Sequence, residues 1–131
     1  MKPISSLGAA IALIMAVTPA FAANWVYVTT DVNDTDFYYD ADTIVRSGNQ
    51  VTVWEKFDHS RDKTMKERER KRRHRYDCAQ RTITLLNSIT YYPDGKINSF
   101  TWNTYEQETK PIVPDTVGEA KFEAVCAATA P

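Results

Sequence analysis

The sequence predicts an α+β domain: a β-sheet with one C-terminal helix that a disulfide joins to the sheet. Several short runs between residues 24 and 102 are rich in β-branched and aromatic residues, and turn residues separate them. Residues 116–126 follow a helical pattern instead. The two cysteines, Cys78 and Cys126, lie in one of the β runs and in this helix.

The first 22 residues are typical of a secretory signal peptide. Lys2 precedes a short apolar run at residues 7–17, and a proline and an Ala-Phe-Ala site follow. The run is too short for a membrane helix, since spanning takes about 20 apolar residues. We expect cleavage after Ala22 and a periplasmic or secreted product. No cysteine lies near this site, so no lipid anchor is expected.

Residues 23–131 are expected to form a single domain with one modest core. Both cysteines lie in this part, and an even number of cysteines in an oxidising compartment favours one disulfide between Cys78 and Cys126. A free thiol or a metal site is the weaker interpretation, because no further ligands accompany the cysteines. No metal site is therefore expected.

Strands are expected at residues 24–30, 37–40, 50–58, 76–86 and 96–102. The run 50–58 alternates apolar and polar residues most clearly. Residues 42–46 either continue the second strand or form a short turn. The alternation after residue 83 runs on to Tyr91, so this pattern fits either one long bent strand or two strands. Tyr92-Pro93-Asp94-Gly95 predicts a tight hairpin turn.

The C-terminal helix is predicted to begin at Thr116. Thr116-Val117-Gly118-Glu119 matches a capping box, in which the Thr116 hydroxyl accepts from the Glu119 amide and the Glu119 side chain reaches back. Phe122, Val125 and Cys126 share one helical face, which we expect to point at the sheet. Residues 103–114 are polar with two prolines and predict an extended crossing.

Residues 61–75 hold nine Lys or Arg residues against three acidic ones, a net charge of +6, whereas the rest of 23–131 carries −8. We expect an exposed connection that becomes a strand by about Arg73, although acid–base pairs four residues apart also fit a short helix. Clustered guanidinium groups suit carboxylate, sulfate or phosphate partners, but a charged edge that prevents aggregation is equally consistent. The predicted binding residues, here the basic strip, are Lys66, Arg68, Arg70, Lys71, Arg72, Arg73 and Arg75.

Catalysis has little support in the sequence, and no catalytic residue is predicted. There are two histidines and no motif of a serine hydrolase, zinc protease or thiol redox protein. The pairs Asp34/Asp36 and Asp40/Asp42 would share strand faces and suit a cation or acid–base work, but such pairs are more often solubility residues. His59 or His74 suits axial ligation of haem, yet the charged surroundings favour exposed side chains.

A set of motifs occurs in order along the chain: Trp25, Phe37-Tyr38-Tyr39-Asp40, Val53-Trp54, Tyr76-Asp77-Cys78, Tyr91-Tyr92-Pro93-Asp94-Gly95 and the tail from Pro111 to Cys126. Together they resemble the surface-adhesin protein E family. The resemblance implies a single six-stranded, mainly antiparallel sheet with the helix packed on one face and tethered by the disulfide. It also implies a non-enzymatic binding protein, since members include outer-surface adhesins for host matrix proteins, with haem binding and dimers reported.

The sequence therefore leaves two main hypotheses for the function. The first is an exported binding protein whose basic strip holds an acidic protein, a sulfated glycan or an envelope component. The second is a periplasmic structural accessory of an envelope assembly. A haem carrier or small hydrolase ranks third, and no other cofactor is expected. Nucleic acid is not an expected partner of an exported protein, although charge alone would give binding in vitro.

Overall fold

A computed structural model describes residues 22–128, together with Pro3 and Gly8. The predicted signal peptide, residues 1–22, lies almost entirely outside the described residues. One α-helix, α1, spans Val117–Ala127, and short 3-10 helices occupy Ala41–Thr43 and Thr104–Glu106. The strands of this described part are β1 (Trp25–Thr30), β2 (Asp36–Asp40), β3 (Val45–Ser47), β4 (Gln50–Asp58), β5 (Glu69–Asp77), β6 (Thr82–Tyr91), β7 (Ile97–Thr101) and β8 (Thr109–Pro111).

All of these strands form one open antiparallel sheet with the spatial order β1-β2-β4-β5-β6-β7. Strand β3 pairs with the start of β4, and β8 pairs with the start of β6. The sheet is thus six strands wide, but the expectation of six strands is wrong because the described residues form eight. Strands β3 and β8 have three residues each, which is too short to show an alternation in the sequence.

Most of the basic strip lies in a central strand rather than in an exposed connection. Strand β5 begins at Glu69, well before the predicted start, and pairs with β4 and β6 over its whole length. Residues 59–68 form the connection, and they are not helical. The prediction was wrong because cations occupy both faces of β5 and hide the period of two. Their long apolar stems nevertheless pack well on a sheet.

The cysteine stretch is two strands joined by a turn. Strand β5 ends at Asp77 and β6 begins at Thr82, so Cys78 lies in the turn and not in a strand. The Asp77 carboxylate accepts hydrogen bonds from the amides of Ala79 (3.0 Å) and Gln80 (2.8 Å), which stabilises this turn. The hairpin turn predicted at Tyr92-Pro93-Asp94-Gly95 is present between β6 and β7, with Gly95 at a φ of 88°.

The core lies between α1 and one side of the sheet, here the helix face. Helix α1 packs across β1, β2, β4 and β5. Alternation along β4 places Val51 and Val53 on the helix face, where they are fully buried with Tyr76 of β5 and Val125 of α1. The opposite side of the sheet, here the open face, is not covered by the helix. The two faces therefore differ in what they offer a partner.

Both ends of α1 are attached by the residues that the sequence indicates. The Cys78–Cys126 disulfide, with Cα atoms 5.8 Å apart, joins the last turn of α1 to the β5–β6 turn and confirms the predicted tether. At the first turn, Thr116 Oγ1 accepts a hydrogen bond from the Glu119 amide (3.2 Å). The Glu119 carboxylate reaches back to the amide of Asp115 (3.2 Å).

We expect Cys126→Ser to lower the free energy of unfolding by about 2–5 kcal/mol, because the disulfide closes a long loop in the unfolded chain. The sheet signal in circular dichroism should be retained, since the sheet is paired independently of α1. Urea unfolding with and without reductant measures this. Reductant should destabilise the natural protein but not the variant, and a natural protein indifferent to reductant would contradict the tether.

Candidate functional site

The structure does not bring the basic strip together as one surface. Lys66 and Arg68 lie exposed in the loop between β4 and β5. The other members belong to β5, where successive side chains point to opposite faces. Pairing with β4 places Arg70 and Arg72 on the helix face and the other three on the open face, namely Lys71, Arg73 and Arg75.

On the open face, the strip residues meet a fourth cation and several aromatic rings. Lys56 of β4 lies opposite Lys71, and Trp54 lies opposite Arg73. The Lys56 Nζ lies 4.9 Å from the ring centroid of Trp25, and the Lys71 Nζ lies 5.9 Å from the same ring. These cation–π contacts hold the ammonium groups in place without neutralising them.

The same cations are poorly neutralised by acidic side chains. Among the described residues, no carboxylate lies within 4.0 Å of the charged groups of Lys56, Arg73 or Arg75, whereas Lys71 Nζ lies 3.8 Å from Glu69. A shallow depression of about 300 Å³ opens beside Lys71. It is lined by Ala23, Trp25, Asp40, Trp54, Lys71, Ile89 and Tyr91. The open face thus combines positive charge with flat aromatic surface.

The helix face contains a buried charged cluster that the sequence analysis missed. Glu55 is fully buried and accepts hydrogen bonds from the Tyr76 hydroxyl (2.7 and 3.0 Å) and from His74 Nδ1. The Lys121 ammonium of α1 lies 3.4 Å from its second oxygen. The signal was present in β4, since Glu55 follows Val51 and Val53 at a core-facing position of the alternation.

The charge states of this cluster follow from burial and pairing. Burial alone would raise the pKa of Glu55, but Lys121, His74 and Tyr76 together lower it to about 2, so Glu55 is a carboxylate at neutral pH. Burial lowers the pKa of His74 more than Glu55 raises it. Because Lys121 already balances Glu55, we take His74 as neutral at pH 7, with its proton on Nδ1.

A cavity of about 360 Å³ lies on the helix face, at the side of this cluster. His74 connects the two: Glu55 occupies Nδ1, so Nε2 is the ring nitrogen left for the cavity. The walls come from β5, β6, the connection from β7 to β8, and β8 itself. The lining residues are Arg72, His74, Ile83, Leu85, Trp102, Glu106, Glu108 and Lys110.

The expectation of exposed histidines is wrong, since His59 is 6% and His74 5% exposed. His59 belongs to a separate buried cluster. There the Thr35 hydroxyl donates to Asp62 Oδ2 (2.6 Å) and lies 2.9 Å from His59 Nδ1. Because Thr35 gives its proton to the carboxylate, His59 Nδ1 must be the donor in the second contact.

The aspartate pairs have structural partners. Asp34 and Asp36 both approach Arg61, at 3.7 and 2.8 Å. Asp40 accepts from the amides of Asn24 and Asp42, both at 3.0 Å, and so stabilises the start of a 3-10 helix. Within the described part of the chain, no three His, Cys, Asp or Glu side chains are grouped so that they could hold a metal ion.

A family model for surface-adhesin protein E matches residues 25–127. The chain belongs to this family. Two crystal structures of Haemophilus influenzae protein E share its fold: crystal form II has a TM-score of 0.59 and 16% identity and covers 82% of this chain and 91% of that one. The selenomethionine form has a TM-score of 0.57 and 15% identity, with 85% and 92% covered.

At these identities the likeness to solved structures shows the fold alone. A comparison with curated proteins finds no significant match. Among the helices of the described residues, none is long and apolar enough to cross a membrane.

Acid is expected to destabilise the protein in two steps. Below about pH 6.5 the unfolded chain takes up protons on His74 and His59 that the folded protein resists, because both pKa values are lowered. Between pH 4.5 and about 2, stability is lost again as Glu55 is protonated. Urea unfolding across this range measures both steps, and His74→Gln should reduce the first. A free energy of unfolding that stays constant from pH 7.5 to roughly 5 would contradict the first step.

Proposed function

We propose that this family member is an exported, non-enzymatic binding protein that holds an acidic macromolecule on the open face of its sheet. The observation that carries the proposal is the set of cations on that face without carboxylate partners: Lys56, Arg73 and Arg75. Membership of an adhesin family supports a binding role. Export is proposed from the signal-peptide pattern of residues 1–22.

The chemistry of the open face suits sulfated glycans or acidic protein surfaces. Guanidinium groups bind sulfate and carboxylate oxygens in pairs, which favours Arg73 and Arg75 as the main contacts. Trp25 and Trp54 add apolar area beside the charges. Long positively charged faces also accelerate encounter with an anionic partner. Host molecules and envelope components both include partners of this class.

Neutralising Lys56, Arg73 and Arg75 together to Gln should weaken binding to heparin, used as a model sulfated glycan. The matched control is Lys63→Gln/Lys66→Gln/Arg68→Gln, which removes the same charge from the exposed loop. At about 0.5 kcal/mol per exposed charge, the open-face variant should bind roughly tenfold more weakly. Elution salt and affinity at several ionic strengths measure this, and the difference should shrink as salt screens the charges.

Other outcomes of this experiment would reject the proposal. Equal losses in both triple variants would mean that net charge and not the open face attracts heparin. A natural protein that ignores both heparin and acidic proteins would favour the structural accessory role. Folding should change little in either triple variant, because the loop cations are exposed and the half-buried open-face cations make no ion pair with any described residue. Aggregation of the open-face variant would instead identify the cations as guards against association.

We propose haem binding as an alternative function, and it rests on His74. This histidine lines the cavity and its Nδ1 is held by a carboxylate, an arrangement that suits an axial ligand. The fit is poor in other respects, since Glu106 and Glu108 line the same cavity and would repel the haem propionates. Haem titration should give a Soret shift that His74→Ala abolishes and His59→Ala retains if the proposal is right.

A further inference from the structure

The cavity on the helix face lies on the opposite side of the sheet from the open face. Its volume of about 360 Å³ falls in the range of small-molecule sites, which are mostly apolar with a few convergent polar groups. We propose that it is a separate binding site for a small monocarboxylate with an apolar or aromatic body. The proposal concerns a different ligand and different residues from the open-face function.

Arg72 is the residue that selects the charge of the ligand. Among the described residues, its guanidinium makes no hydrogen bond or ion pair, and its Nε is buried without a hydrogen-bond partner. The Phe57 ring, whose centroid lies 5.4 Å from Arg72 Cζ, supplies a cation–π contact but no hydrogen-bond acceptor. Its cross-strand neighbour Glu55 is not free to bind it, because Tyr76, His74 and Lys121 surround both carboxylate oxygens. A partly buried, unpartnered charge is costly. An oxyanion from a ligand would satisfy it through paired hydrogen bonds.

The remaining charged groups of the cavity already have partners. Lys110 Nζ lies 3.9 Å from Glu108. Glu106 accepts a hydrogen bond from the Asn103 side chain at 2.7 Å. Arg72 is therefore the unpaired cation of the lining, while the two glutamates disfavour polyanions. This combination selects a single carboxylate rather than a sulfated polymer.

The other lining residues define the body of the ligand. Ile83, Leu85 and Trp102 form an apolar wall, which suits an aromatic or branched aliphatic group. His74 is the remaining polar group, and its neutral Nε2 is a hydrogen-bond acceptor. A donor group on the ligand, such as an indole or amide N–H, would bind there.

Two probes of the same shape and opposite charge test the site: indole-3-propionate and tryptamine. We expect indole-3-propionate to bind at millimolar or lower concentration in calorimetry and to shift the backbone amide signals of Leu85 and Trp102. Tryptamine should bind far more weakly. Arg72→Met should weaken indole-3-propionate binding roughly tenfold or more. Lys63→Met, which removes one positive charge from the exposed loop outside the cavity, is the control and should bind as the natural protein does.

The contrary outcomes are distinct. Preference for tryptamine, no binding of indole-3-propionate at millimolar concentration, or equal loss in both variants would overturn the proposal. If Arg72→Met fails to fold, Leu85→Trp fills the cavity while retaining Arg72 and should abolish binding; retained binding would overturn it. Heparin affinity of Arg72→Met should stay close to that of the natural protein, which separates failure of this site from failure of the open face.

Discussion

The fold depends on a carboxylate in its core. Glu55 lies fully buried in a central strand and interacts with both layers of the molecule. It accepts hydrogen bonds from Tyr76 and His74 of β5 and forms an ion pair with Lys121 of α1. An unpaired charge at this place would cost several kcal/mol, so the carboxylate is tolerated only while its partners are in position. The ion pair with Lys121 therefore fixes how α1 is rotated on the sheet, and the disulfide fixes where the helix ends.

This arrangement also explains how a strand as basic as β5 can lie inside a sheet. On the helix face, Glu55 provides the negative charge that Arg72 and Lys121 experience, although it bonds directly only to the latter. On the open face, the cations are supported by rings: Lys56 by Trp25 and Tyr38, with Nζ at 4.9 and 4.6 Å from the centroids. The ion pair neutralises Lys121 inside the core, whereas the rings leave the positive charge of the open-face cations in place.

Local chemistry predicted the parts of the fold that depend on neighbours in sequence. The Thr116 cap and the turn at Gly95 are of this kind. The tether joins cysteines 48 residues apart, and it was predicted from the even number of cysteines instead. The start of β5 was missed because a run of cations becomes a strand only through pairing with β4 and β6. Burial of Glu55 was missed for a related reason: its position in the β4 alternation faces the core, but a charged residue is accepted there only once its partner Lys121, distant in sequence, is known.

The candidate sites show why charge clustering in a sequence does not define a surface. Arg72 and Arg73 are adjacent in the chain, yet the period of two in β5 places one at a partly open cavity and the other on the open face. The cavity residue has a low-dielectric environment in which one oxyanion is enough to satisfy it. The open-face residue is solvated, so it contributes only together with its neighbours. Under the two proposals, a single basic strand serves anions of different size on its two faces.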